Sequence, residues 1–286
     1  MKKLCLIGAD GQLGTEISLA LSDDARFHCT LLTIKELDLL NTDKVVEYFL
    51  NNSFDFVINC AAYTAVDKAE VELELNDRLN NLVVEKLAEL CKKQDAFFIH
   101  ISTDFVFDGT KCIPWVESDN TNPLQAYGRA KLKGEASVTA GIVLRTSWLY
   151  SPYGNNFVKK MLRLGSEREQ LNVVNNQIGT PTYAYDLARV IVTICLDKNY
   201  KKKNGVYHMS NEGAASWYDF ACSIMEYGKK DCVVKPIPDS AYPTAAKRPN
   251  YSVLDKTKIK EQFGIEIPYW RDSLKHCIKI LKEHES

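Results

Sequence analysis

The sequence predicts an α/β protein in which a doubly wound parallel sheet fills the first half and a smaller C-terminal lobe interleaves with it. Three observations carry that expectation. From residue 1 to about 145, short apolar runs alternate with longer segments of helical period, the mark of strands joined by helices that cross the sheet. The runs are mostly continuously apolar, as strands covered on both faces are. Beyond residue 150 the alternation loosens, so the first unit is placed at 1–150 and the second, partly interleaved with it, at 151–286.

In order, strands are expected over 3–7, 28–33, 54–59, 96–101 and 142–145, and helices near 12–22, 42–52, 66–93 and 125–139. Asn41 or Thr42 offers the second helix an N-cap. In the second half, helices are expected near 155–166, 183–197, 216–227 and 270–284, with short strands near 171–174, 205–209 and 233–236. Pro236, Pro238, Pro243 and Pro249, with Ser, Ala and Thr between them, mark a long loop of the kind that often carries function.

The chain has 286 residues, 45% hydrophobic and 26% charged, enough for a sizeable core and too apolar for disorder. Its 36 Lys and Arg against 37 Asp and Glu lack the basic excess of a nucleic-acid binder. No apolar stretch approaches the roughly 20 residues of a membrane span. The N-terminal run is cut at Gly8-Ala9-Asp10-Gly11, so it reads as a first strand rather than a secretion signal. Nine cysteines without a CxxC pair fit free thiols in a reducing cytoplasm, and five scattered histidines give no metal spacing, so no zinc site is expected.

Gly8-Ala9-Asp10-Gly11-Gln12-Leu13-Gly14 follows the first strand and opens the first helix. Glycines there let backbone N–H groups approach a pyrophosphate at the positive helix end; the alternative is a tight turn with no ligand. The second strand ends Leu32-Thr33-Ile34-Lys35 without the acid that holds the ribose of NAD, which makes NADPH acceptable. Asp38, beside Leu39, is either an adenine neighbour or a cap near the second helix. Together these features are Rossmann-like.

Tyr127 and Lys131 stand four residues apart on one face of an expected helix. A phenol with a pKa near 10 needs a shift of about three units to work near neutrality, and a neighbouring cation acts in that direction. Ser102 and Thr103 end a buried strand at the edge where open α/β sheets bind ligands. Thr103 is suited to polarising a carbonyl, and the alternative for both is local backbone hydrogen bonding. The small residues of Asn59-Cys60-Ala61-Ala62 leave room for a flat ring, or for close helix packing.

The glycine turn, the small residues after the third strand, the Ser/Thr strand end and YxxxK together resemble the extended short-chain dehydrogenase/reductase family. The resemblance runs through Ala61 to Glu70, Ser102 to Gly109, Arg145 to Tyr150, Gln177 to Thr182 and Arg248-Pro249, covering essentially the whole chain. It implies NADPH- or NADH-dependent reduction of the 4-keto group of a dTDP-6-deoxyhexulose, yielding a dTDP-6-deoxysugar for surface polysaccharide. Tyr127 would protonate the oxygen at C4, Lys131 would hold the nicotinamide ribose and lower the tyrosine pKa, and Thr103 would bind the same oxygen. Gly8, Gly11, Gln12, Leu13, Asp38, Leu39, Ala61, Ala62, Tyr63 and Asn80, together with Tyr127 and Lys131, would serve the cofactor. Thr64, Val66, Asp104, Phe105, Trp148 and Arg248 would face the sugar nucleotide, with Arg248 on the diphosphate. Phe105 stands where the family usually has tyrosine, which leaves substrate identity open. Some members bind Mg2+ at a dimer interface; no position here can be matched to those ligands, and a homodimer is left open. Two other readings remain: a non-catalytic NADP-binding regulatory subunit like methionine adenosyltransferase beta, and a nucleotide-sugar epimerase or dehydratase.

Overall fold

The computed structural model describes residues 1–285. The first half runs β1 (Lys2–Ile7), α1 (Gln12–Leu21), β2 (Phe27–Leu32), α2 (Thr42–Asn51), β3 (Phe56–Asn59), α3 (Leu73–Asp77), α4 (Val83–Lys93), β4 (Phe97–Thr103), α5 (Ala126–Ser137) and β5 (Gly141–Thr146). The second half runs β6 (Leu149–Tyr150), α6 (Phe157–Glu167), β7 (Gln170–Val174), β8 (Ile178–Gly179), β9 (Thr182–Tyr183), α7 (Ala184–Leu196), β10 (Gly205–His208), β11 (Ala215–Ser216), α8 (Trp217–Gly228), β12 (Val233–Ile237), α9 (Thr257–Phe263) and α10 (Trp270–Glu285).

The principal sheet has six strands in the order β10-β5-β4-β3-β1-β2, every neighbouring pair parallel. Successive residues of β1 point to opposite faces. Leu4 and Leu6 join Ile58, Ile99 and Leu144 under α1 and α7, where Ile17, Leu187 and Ile191 are fully buried. Cys5 and Ile7 join Val57 and Phe98 under α2 and α4, against Val45, Phe49, Val84 and Leu87. The strand order reverses at β1, between β2 and β3, and such a reversal opens a crevice at the carboxyl ends of the strands. All of the chemistry described below faces that crevice.

The remaining strands pair off in twos, β11 with β8, β12 with β7 and β6 with β9. Their core is separate: Tyr150, Tyr183, Phe220, Ile224, Leu274 and Ile278 pack between α6, α8 and α10. A capping box opens α8, with Ser216 Oγ accepting from the Asp219 backbone N–H at 3.0 Å and Asp219 returning the bond to the Ser216 N–H at 2.9 Å.

Three expectations need correction. The helix expected over 66–93 is broken into a 3₁₀ turn at Lys68–Glu70, α3, a π-helical turn at Arg78–Leu82 and α4. The π turn carries Asn80, whose side chain bonds Tyr63 and Asn76, and periodicity alone does not show a ladder widened by such side-chain bonds. The strand near 205–209, assigned to the lobe, is β10 and extends the main sheet beside β5 with Val206 opposite Val143. A four-residue apolar run looks the same in either setting. Helix α9 lies in a segment for which no helix was expected.

Candidate active site

The glycine turn and α1 form the floor of a cleft of about 730 Å³. Gly8 has φ +76°, a conformation that favours glycine. A Cβ at Gly14 would lie 2.1 Å from the Gly8 carbonyl oxygen, so only glycine lets the helix start so close to the strand. The N-cap of α1 is Gly11, with no side chain bonded to the helix end. The leading N–H groups and the positive end of the helix dipole therefore have no side-chain cap, which fits a phosphate group.

Gly8, Gly11, Gln12, Leu13, Asp38, Leu39, Ala61 and Ala62 all line this cleft. Asp38 turns its carboxylate back to the Leu40 N–H at 3.0 Å, while Asn41 supplies the α2 cap. An acid does follow β2 closely: Glu36 accepts from the Thr33 N–H and hydroxyl at 2.8 and 2.5 Å. Tyr63 and Asn80 are not among the cleft residues. Asn80 is fully buried behind the wall and clamps the Tyr63 backbone, accepting from its N–H at 3.2 Å and donating to its carbonyl at 2.9 Å, and the Tyr63 hydroxyl turns to Glu72.

The reacting end lies where β4 meets α5. A Cβ at Gly128 would sit 2.2 Å from the Phe105 carbonyl oxygen, so the glycine after Tyr127 lets α5 press against the turn that follows Thr103. Thr103, Asp104, Phe105, Tyr127 and Lys131 thereby line one cleft. The Tyr127 phenol is raised above its ordinary pKa by burial, opposed by a hydrogen bond with Thr103 and reinforced by the charge of Asp104. This reverses the expectation that Lys131 pulls it down. Lys131 is 1% exposed, donates to the Ile101 carbonyl at 2.6 Å and has its Nζ 3.1 Å from His100 Nε2; burial pushes it down to about 8. Asp104, 2% exposed, is pushed up to about 7 by burial.

The opposite wall is shared between the loops that follow β3 and β5 and the lobe. Thr64, Val66, Trp148 and Arg248 line it together with Asn156 and Trp217. Trp148 has φ +45°, a strained conformation for a bulky residue that costs about 1–3 kcal/mol. Its ring stacks on Trp217 with centroids 3.6 Å apart and planes within 8°. Arg248 reaches the cleft but grips Asp67 with both nitrogens, at 3.1 and 2.8 Å.

The sequence pattern gives no role to Glu135 and Arg145, and does not show the partners of Ser102 and Gln12. Ser102 donates to Glu135 at 2.5 Å, and Glu135 also takes a bidentate grip from Arg145 at 2.7 to 3.1 Å, in a buried pair that ties α5 to β4 and β5. The spacing of Lys131 and Glu135 on one helix face was the available signal. Gln12 accepts from Asn156 at 2.9 Å, joining the glycine turn to the lobe across 144 residues of sequence, which no local pattern encodes. Among the described residues no group of three or more His, Cys, Asp or Glu could hold a metal, and no helix is long and apolar enough to cross a membrane.

A doubly wound sheet with a bare helix end at its switch point and a Tyr–Lys pair on the helix beyond β4 defines a dinucleotide-dependent oxidoreductase class. The chain belongs to the RmlD substrate binding domain family, whose model matches residues 1–283. It is 40% identical to a dTDP-4-dehydrorhamnose reductase of Aggregatibacter actinomycetemcomitans over 96% of this chain and 98% of that one. It is 36% identical to the reductase of the same name from Escherichia coli K12, over 97% of each. Among solved structures, a dTDP-4-dehydrorhamnose reductase from Clostridium acetobutylicum superposes with a TM-score of 0.93 at 40% identity, over 98% of this chain and 99% of that one. The Bacillus anthracis enzyme in complex with NADP does so with a TM-score of 0.93 at 34% identity, over the same shares of the two chains.

Proposed function

We propose that the protein is a dTDP-4-dehydrorhamnose reductase: with NADPH it reduces the 4-keto group of dTDP-6-deoxy-L-lyxo-4-hexulose to give dTDP-L-rhamnose. The observation that carries this reading is the convergence of Thr103, Tyr127 and Lys131 on one cleft with the uncapped start of α1, in a chain whose relatives bear that name over nearly their whole length.

Bound NADPH supplies the hydride that reduces C4. The protein's residues do the rest. Tyr127 gives its phenolic proton to the carbonyl oxygen as it becomes an alcohol, and the Thr103 hydroxyl donates a hydrogen bond to the same oxygen. A high phenol pKa in the free protein holds that proton in place until it is needed. Lys131 stands one helical turn behind and would hold the cofactor ribose. The turn from Gly8 to Gly14 would take the pyrophosphate, with Asp38, Leu39, Ala61 and Ala62 along the dinucleotide and Asn80 supporting the Tyr63 backbone from behind.

Residues 1–150 serve the cofactor and also carry Thr64, Val66, Thr103, Tyr127 and Trp148 of the sugar site, while residues 151–286 add Arg248 and Trp217, which forms an apolar platform with Trp148. Arg248 is suited to a diphosphate because its planar fork matches paired oxygens; it would exchange Asp67 for the substrate. The test is net NADPH consumption, followed at the nicotinamide absorbance, with one dTDP-L-rhamnose formed per NADPH. Turnover of the sugar without net loss of NADPH would point to an epimerase instead.

A further inference from the structure

Behind Lys131 lies a chain of buried polar groups whose donors and acceptors can be assigned one by one. The Ala61 backbone N–H can only donate, and it donates to Asn59 Oδ1 at 3.1 Å. That fixes the amide, so Asn59 Nδ2 is the atom facing His100 Nδ1 at 3.2 Å, and it too can only donate. His100 Nδ1 must therefore accept, which in a neutral imidazole places the ring proton on Nε2. Nε2 stands 3.1 Å from Lys131 Nζ. An N–H thus points at the lysine nitrogen. A neutral amine meets it with its lone pair and keeps two N–H groups, one for the Ile101 carbonyl at 2.6 Å. An ammonium has no lone pair to offer.

We propose that Asn59 and His100 are positioning residues that weaken the hold of Lys131 on its third proton, by turning a donor rather than an acceptor toward it. Protonating the lysine forces His100 into its other tautomer and breaks the bond to Asn59. The surroundings agree: Asn59, His100 and Lys131 are each at most 1% exposed, and burial holds His100 well below its ordinary pKa. Of the ionisable groups facing Lys131, Glu135 and the Cys60 thiol favour its charge against a larger effect of burial. Glu135 is already paired with Arg145. On the elements packed against α5, Asp77 is paired with Lys133 and Glu70 accepts from the Ala126 N–H; Asp104 acts on Tyr127.

The chain begins at Ala61, whose nitrogen lies against Gly8, so the cofactor turn and the proton affinity of the lysine are mechanically adjacent. The structural part stands without the reductase reading; only its kinetic consequence rests on that reading. Ring nitrogen NMR of the full chain, labelled with ¹⁵N-histidine, reads the tautomer of His100 directly. The Nε2–H form is expected above the titration of Lys131, giving way toward Nδ1–H as pH falls through it. An Nδ1–H form at every pH, or an imidazolium, would overturn the proposal.

Two variants carry it into the reaction. Asn59→Asp accepts from both Ala61 and His100 Nδ1–H, and His100→Gln offers the lysine a carbonyl oxygen without adding charge. Both are expected to move the alkaline limb of the kcat profile at least one pH unit upward. A purely structural role would lower kcat and leave that limb in place, which would also overturn the proposal. Should the keto sugar consume no NADPH in the native protein, the reductase reading fails while the tautomer measurement still decides this one.

Discussion

The two sides of the crevice hold their shape in different ways. The sheet side is backbone and buried charge: glycines whose Cβ atoms have no room, an uncapped helix end, and Glu135 and Arg145 locked together at 4% and 5% side-chain exposure. The lobe side, where the lobe meets the loops after β3 and β5, is side chain: a stacked Trp pair, a hydroxyl or two, and an Arg248–Asp67 pair with Asp67 45% exposed. A backbone cradle suits what every turnover shares, the dinucleotide, because main-chain donors are the same whatever the sequence. Side chains suit what distinguishes one sugar nucleotide from another. The expectation is that changes on the sheet side cost rate or stability, and changes on the lobe side cost substrate affinity.

The most severe break is Tyr127→Phe, which removes the proton donor. It should lower kcat by about 10²–10⁴-fold while NADPH binding, followed by fluorescence titration, stays within a few-fold; loss of both together would place the tyrosine in the cradle instead. Next comes Glu135→Ala, which leaves Arg145 charged and unpaired in the interior. It should cost about 3–5 kcal/mol in urea unfolding, whereas Asp67→Ala, breaking the exposed pair, should cost about 0–1 kcal/mol. Equal costs would erase the distinction between the two sides.

Asp104 sharpens the comparison at its seam. Its carboxyl is raised in the folded protein, so the folded state binds the proton more tightly, and stability falls as pH rises from the ordinary carboxyl range to about 7. Asp104→Asn should remove that fall and gain about 4 kcal/mol relative to the native protein at pH 8, with little gain near pH 4. A difference in Tm independent of pH would mean the carboxyl is not the cause. The mildest effect is expected from Trp217→Ala on the lobe side: KM for the sugar nucleotide rising about tenfold, as loss of roughly 1.4 kcal/mol of stacking implies, with KM for NADPH unchanged.

Much of the sheet side is legible before folding. The continuous apolar runs at Leu4 to Ile7 and Ala96 to Ile99, the glycine turn and the Tyr127–Lys131 spacing are local patterns, and local patterns survive in a linear reading. Helix ends such as Asn41 were readable for the same reason. What escaped was of another kind. Arg145 and Glu135 look unremarkable separately, the buried bond from Ser102 to Glu135 has no local sign, and His100 sits within a strand as one polar residue among apolar ones. Tyr63 and Asn80 are expected to serve the cofactor, and the way Asn80 does so, by bracing the Tyr63 backbone from behind the cleft wall, has no local sign either.

By itself the sequence determined the alternation of strand and helix, the phosphate-ready turn and the one-face pairing of phenol and amine, since each depends on neighbours within a few residues and on the fixed periods of strand and helix. Only the tertiary structure decided that β10 completes the sheet, that Trp217 stacks on Trp148, that Arg248 holds Asp67, and that a backbone N–H at Ala61 governs the hydrogen bonds of Lys131 through two side chains. Those outcomes join residues tens to hundreds of positions apart, and the direction of a buried hydrogen bond is set by every partner in its chain at once.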